Sequence, residues 1–147
     1  EDGFQEIKVG PNKGQKAPYE LGTLLHSNSR ILNVPIDLDK VDYDVDVLKL
    51  FQMVAGETAK GYRLLSHPLT SSVRPDITPY KTVFLSKSRG CVDAESQILI
   101  EQAIAYAERL YEIREIPIYQ RWDDKAKNDF QLIDLSITER ALEIAGA

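Results

Sequence analysis

Apolar residues along the chain fall into short clusters, separated by polar and proline-rich stretches, and their spacing predicts the elements. Leu24 and Leu25 centre a strand over Gly22 to Ser27, which runs into the polar cluster His26-Ser27-Asn28-Ser29. Ile31 to Ile36 is a second apolar run, restricted to an edge strand by Pro35. From Asp44 to Ala59, Val47, Leu48, Phe51, Val54 and Ala55 recur at helical spacing. Asp42 or Asp44 is the expected cap of that helix, Asp46 lies near its positive end, and Gly61 is its stop signal. Tyr62–Ser66 and Thr82–Ser86 read as short buried strands.

A long helix follows, with Asp93 as N-cap, Glu95 in its first turn and Pro117 beyond its end. Leu99, Ala103, Tyr106, Leu110 and Ile113 form one apolar line, which Ile100, Ile104, Ala107 and Tyr111 widen into a broad stripe. That breadth fits packing on a sheet better than a coiled-coil seam. A last helical region covers Asp123 to Ala145, and Ser136 with Glu139 forms a capping box that would divide it. Helices alternating with short apolar strands predict an α/β fold, with a small, partly parallel sheet flanked by helices. One domain over residues 21–147 is expected, preceded by a flexible or loosely packed arm over residues 1–20 that contains G-P-N-K-G-Q-K-A-P.

Composition narrows the function classes. With 147 residues, 43% hydrophobic, the chain has material for one real core. A net charge of -5 argues against general nucleic-acid binding, which needs surplus Lys and Arg. No run has the length of a membrane span, and no basic-then-apolar leader opens the sequence. The single cysteine, Cys91, allows no internal disulfide or thiolate metal site and points to a reducing cytoplasm. Charge is uneven: Glu57 to Gly90 carries a surplus of +4, leaving -9 for the remainder.

That basic region contains the most informative stretch. From His67 to Pro79, three prolines (Pro68, Pro75, Pro79) exclude regular helix or central strand. Among them lie His67, Thr70, Ser71, Ser72, Arg74, Asp76 and Thr78, with Tyr80 just beyond: a rigid, hydroxyl-rich loop on an apolar scaffold. Thr70, Ser71 and Ser72 offer hydroxyls, and Arg74 a guanidinium fork, for a carboxylate or phosphate. His67, at a strand's end, has the chemistry of an acid, a base or an anion donor. His26 and Asn28, at the end of the first strand, share the same crevice with it if the strands are neighbours. Solvated strand ends and self-capping turns explain the same residues without a ligand.

The glycine patterns of phosphate and dinucleotide loops are absent, so no cofactor is expected. Two histidines exclude a multi-histidine metal site. Aspartates 37, 39, 42, 44 and 46 lack the central Gly and closing Glu of a calcium loop, so no metal is expected there either. Cys91 reads as a small packing residue, and Trp122 equally as a surface anchor or a binding residue.

The stretch G-Y-R-L-L-S-H-P-L-T-S-S-V-R-P-D-I-T-P-Y-K-T-V, followed by V-D-A-E-S-Q-I-L-I-E-Q-A-I and N-D-F-Q-L-I-D-L-S, resembles the GrdX family. The resemblance covers roughly Thr23 to Ala145, and its most specific part runs from His-Pro-Leu to Thr-Pro-Tyr. The first-strand end departs from the family's Thr-Asn-Asn type of sequence and reads His26-Ser27-Asn28. What the resemblance implies is a cytoplasmic accessory protein of amino-acid-fermenting anaerobes, tied to glycine, sarcosine or betaine reductase, with no catalytic residues to carry over. Three functions follow from the sequence. One is an accessory protein binding a small anion or a reductase component through the His67–Tyr80 loop. The second is an enzyme acting on a carboxylate or phosphorylated metabolite, with His67 as general acid/base and Asp76 assisting. The third is a structural subunit whose broad apolar helices build a homo-oligomer.

Overall fold

The computed structural model describes residues 20–34, 38–69, 74–113 and 118–144. Nearly all of the expected arm, the run around Pro35, the Thr70-Ser71-Ser72 hydroxyls and the Pro117 stop lie outside the described residues. Three strands, β1 (Leu21–His26), β2 (Asp39–Asp42) and β3 (Thr82–Ser86), form a sheet in the order β2-β1-β3. β1 pairs parallel with β2 and antiparallel with β3, so the protein has the expected α/β class with a partly parallel sheet. Three helices, α1 (Val47–Ala59), α2 (Ala94–Ile113) and α3 (Asp124–Ile144), surround it, and 3-10 turns occupy Ser29–Asn33 and Ile118–Arg121.

The two-residue period of the strands divides the core. Leu25, Val83 and Leu85 point to one face, where Val47, Leu50, Phe51 and Val54 of α1 and Ile100, Ala103 and Ala107 of α2 cover them. Leu24 and Phe84 point to the other, against Ile31, Val34 and the Ala141-Leu142 end of α3. Leu64 and Leu65, on the far side of β3, contribute one side chain to each cluster. Adjacent leucines in the sequence therefore serve opposite layers of an α/β/α sandwich.

Four local expectations change. Ile31 is not in a strand: Asn28 Oδ1 accepts from Arg30 N–H at 3.1 Å, and a 3-10 turn starts there. The second strand is instead the largely exposed Asp39–Asp42, which has no apolar face to announce it. That strand also displaces the helix cap. Tyr43 N–H donates to His26 O at 2.8 Å, which keeps the chain extended past Asp42. Asp46, not Asp42 or Asp44, caps α1 by accepting from Lys49 N–H at 2.8 Å.

Tyr62–Ser66 runs along β3 but forms only one bridge, Leu64 to Leu85. Serine hydroxyls replace main-chain partners on both sides: Phe84 N–H donates to Ser66 Oγ at 3.0 Å and Arg63 N–H to Ser86 Oγ at 2.9 Å. Lastly, α3 is continuous through Ser136. Its buried stripe of Asp134, Thr138, Ala141 and Leu142 passes that residue by, leaving Ser136 exposed with no cap to make.

Gly61 ends α1 with φ 106°, and its N–H donates to Thr58 O at 3.1 Å. A Cβ there would lie 2.1 Å from Gly90 O, so only glycine fits where the two turns cross.

Candidate functional site

The carboxyl ends of β1 and β2, the start of β3 and the residues after Ser66 all lie at one end of the sheet, because 63–66 runs antiparallel to β3. In α/β sheets such an edge is where ligands gather. Here it opens into a cleft of about 430 Å³. Ser27 comes from the end of β1, Asp44, Val45 and Asp46 from the approach to α1, Pro79 and Tyr80 from the approach to β3. Tyr119, Gln120 and Lys127 close the opposite side.

The segment leading to Tyr80 is held from both ends. Arg74 makes a fork to Asp76, Nε to Oδ1 and Nη2 to Oδ2 at 3.1 Å each, and Asp76 is 1% exposed. Both oxygens of Asp76 thus face Arg74 rather than a histidine. The Asp76 carbonyl accepts from Tyr119 N–H at 2.9 Å, and the Ile77 carbonyl accepts from Trp122 Nε1 at 2.7 Å. Trp122 is therefore an internal clamp, half-buried beside Phe130 with ring centroids 5.4 Å apart. Thr78 is buried and folds back on its own turn, donating to Tyr80 O and accepting from Tyr80 N–H, each at 3.1 Å. His67 is half-buried, and its Nδ1 accepts from Leu69 N–H at 3.1 Å. β3 lies between β1 and the segment preceding His67, so His26 and His67 share an end of the sheet without being neighbouring strand ends.

Behind the cleft sits a buried polar network whose centre, Asp134, the loop-based reading missed. Its Oδ2 accepts from Thr82 Oγ1 at 2.8 Å and from Asn28 Nδ2 at 3.1 Å. Asn28 also donates to Gln131 O at 2.9 Å, so one amide ties the end of β1 to α3. Arg30 adds hydrogen bonds to Gln131 and Asn128 of the same helix. Burial raises the Asp134 carboxyl above its ordinary range, against the opposing pull of the Asn28 and Thr82 donors, Lys81 and His26. Lys81, 8% exposed, is pushed down to about 8 by burial, with Asp134 holding it up. Its N–H donates to Ser27 Oγ at 3.1 Å, which connects the network to the cleft floor.

His26 completes the set. It is fully buried, and burial lowers its pKa below 6.5 despite the nearby Asp42 and Asp134 carboxylates. Burial thus favours its neutral form, although Nδ1 approaches Asp42 Oδ1 to 3.3 Å. Nδ1 meets both Asn28 N–H, at 3.3 Å, and that carboxylate, and it serves one of them at a time. In either tautomer the buried Nε2 has no hydrogen-bond partner among the described residues.

Of the residues singled out in the sequence, Tyr80 lines the cleft and His26 and Asn28 belong to the network behind it. Arg74, Asp76 and Thr78 shape the approach segment, and His67 bonds within its own turn. Thr70, Ser71 and Ser72 lie outside the described residues. Asp46, Lys81, Tyr119, Lys127 and Asp134 are additions from the structure. Asp134 had one visible signal: a carboxylate on the buried stripe of an amphipathic helix. Cys91 is exposed rather than packed.

The arrangement defines a small α/β protein with a strand-end cleft backed by a buried polar network. No group of three or more metal-ligating side chains occurs among the described residues, and no helix there is long and apolar enough to cross a membrane. The chain matches the family model of GrdX-like proteins over residues 25–143 and belongs to that family. Membership suggests association with the glycine reductase system, without specifying an activity. No curated protein and no solved structure matches the chain.

Proposed function

We propose that the protein is a cytoplasmic accessory protein of the glycine, sarcosine and betaine reductase system, and that it acts by binding rather than by turnover. Its site is the strand-end cleft together with the His67–Tyr80 segment, and its partner is a small ligand or a reductase component. The observation that carries this reading is the Tyr80 wall of the cleft. The proline-rich segment delivers Tyr80 there on a backbone pinned by Trp122 and Tyr119, so the segment's rigidity serves a concave surface.

The anion once expected at Arg74 would have to compete with Asp76 for the same fork, which favours the cleft itself as the contact surface. A thermal-shift screen with the reductase substrates, phosphate, acetyl phosphate and nucleotides tests the reading, joined by pull-downs of the reductase components. At a hundred times its Kd, a ligand of the folded state adds about 2.7 kcal/mol, which raises the melting temperature by several degrees. The expected result is a shift or a captured component that Tyr80→Ala abolishes in a folded variant. Silence in both assays, or binding indifferent to Tyr80→Ala, would sink the proposal.

A further inference from the structure

We infer that the cleft takes a ligand bearing an organic ammonium group. This rests on the reading above that the cleft is the functional site, and it names the chemistry the site accepts.

The lining carries two carboxylates, Asp44 and Asp46, against one cation, Lys127. Asp124 extends the negative field, since it acts on Tyr80 from the start of α3. Free phosphate or carboxylate in this lining faces more like charge than counter-charge. Beside the carboxylates stand two phenol rings, Tyr80 and Tyr119. Aromatic rings next to acids attract cations, most effectively large ones that shed water easily. Both phenols are held above their ordinary pKa, firstly by burial and then by neighbouring aspartates, so they stay neutral and do not add a charge of their own.

Organic cation, rather than metal ion, follows from how the oxygens are used. Asp46 accepts from Lys49 N–H with Oδ1 and from Tyr119 O–H with Oδ2, at 2.8 Å each. Both of its oxygens are thus engaged, whereas a hard metal ion needs several oxygens in direct coordination. An alkylammonium group needs only the field and an apolar wall. Val45, Pro79 and the rings supply that wall, and about 430 Å³ is room for a small molecule.

Isothermal titration and thermal shift of the full chain test the inference, using tetramethylammonium chloride, sodium acetate and sodium phosphate at matched ionic strength. Asp44→Asn and Tyr80→Leu are the variants; Asp44 is exposed, so its replacement leaves the fold intact. Expected is binding of tetramethylammonium, weakened about tenfold or more by each variant, in line with the loss of one field or one ring contact. Acetate or phosphate binding that Tyr80→Leu abolishes would keep the cleft as the site and overturn its preference for cations. A reductase component captured through Tyr80, with no response to tetramethylammonium, would do the same. Tetramethylammonium binding that neither variant weakens would place the ligand elsewhere and overturn both readings.

Discussion

Asp134 joins the most distant parts of the chain through one carboxylate. Its replacement by alanine strands the Asn28 amide and the Thr82 hydroxyl in a buried place and removes the counter-charge of Lys81. A loss of about 2–5 kcal/mol is expected, measured by urea unfolding at pH 7. Asp134→Asn, which retains one acceptor, is expected to lose less. Lys81 gives a second test, by pH. Its folded-state pKa, about 8, lies below the unfolded value near 10.5, so the unfolded chain binds more protons across that interval. The Lys81 contribution therefore rises with pH from 8 toward 10.5, on the order of 1–3 kcal/mol. Urea midpoints of the wild type should climb over this range relative to those of Lys81→Met, and parallel profiles would refute the assignment. Above pH 10 Tyr111 opposes the trend, because burial and Asp46 raise its pKa in the folded state. His26 adds stability above pH 6.5 that is lost as acidification reaches its depressed folded pKa.

The elements differ in how openly the sequence declares them. β3 was legible because all five residues are buried and two turn signals bracket them. α2 was legible because its apolar stripe recurs at helical spacing from Leu99 to Ile113. β2 was not, since it contributes a backbone edge and almost no apolar side chain. The segment 62–66 has a strand's composition, but Ser66 and Ser86 divert its ladder, a tertiary event that periodicity does not encode. The cleft was half legible: its Tyr80 wall came from a proline pattern, while Tyr119 and Lys127 arrive from residues about 40 positions later. Two substitutions test this account. Gly61→Ala combines a positive φ with a Cβ 2.1 Å from Gly90 O, and a loss of about 2–4 kcal/mol by thermal unfolding is expected. Ser66→Ala leaves Phe84 N–H without its hydroxyl acceptor, and a loss of about 1–3 kcal/mol is expected.

For the whole molecule, the sheet has one thick cover and one thin one. α1 and α2 together protect the Leu25–Leu85 face, whereas the Leu24–Phe84 face relies on α3 and the 3-10 turn after β1. Leu142→Ala should cost about 2–4 kcal/mol in urea, as a full core truncation does, although only one end of α3 reaches the core. Hydrogen exchange should show α3 opening at lower free energy than α1, and equal protection of the two would contradict this asymmetry. The bond between Asn28 and Asp134 spans 106 residues and that between Thr82 and Asp134 spans 52. On the ribosome, the donors at 28 and 82 are synthesised long before their acceptor. A nascent chain halted before residue 134 carries a covered first face and an open second one, with two buried-type donors facing water. The last helix is thus the closing piece of the sandwich: the Leu24–Phe84 side of the sheet gains its Ala141-Leu142 cover only when synthesis is nearly complete.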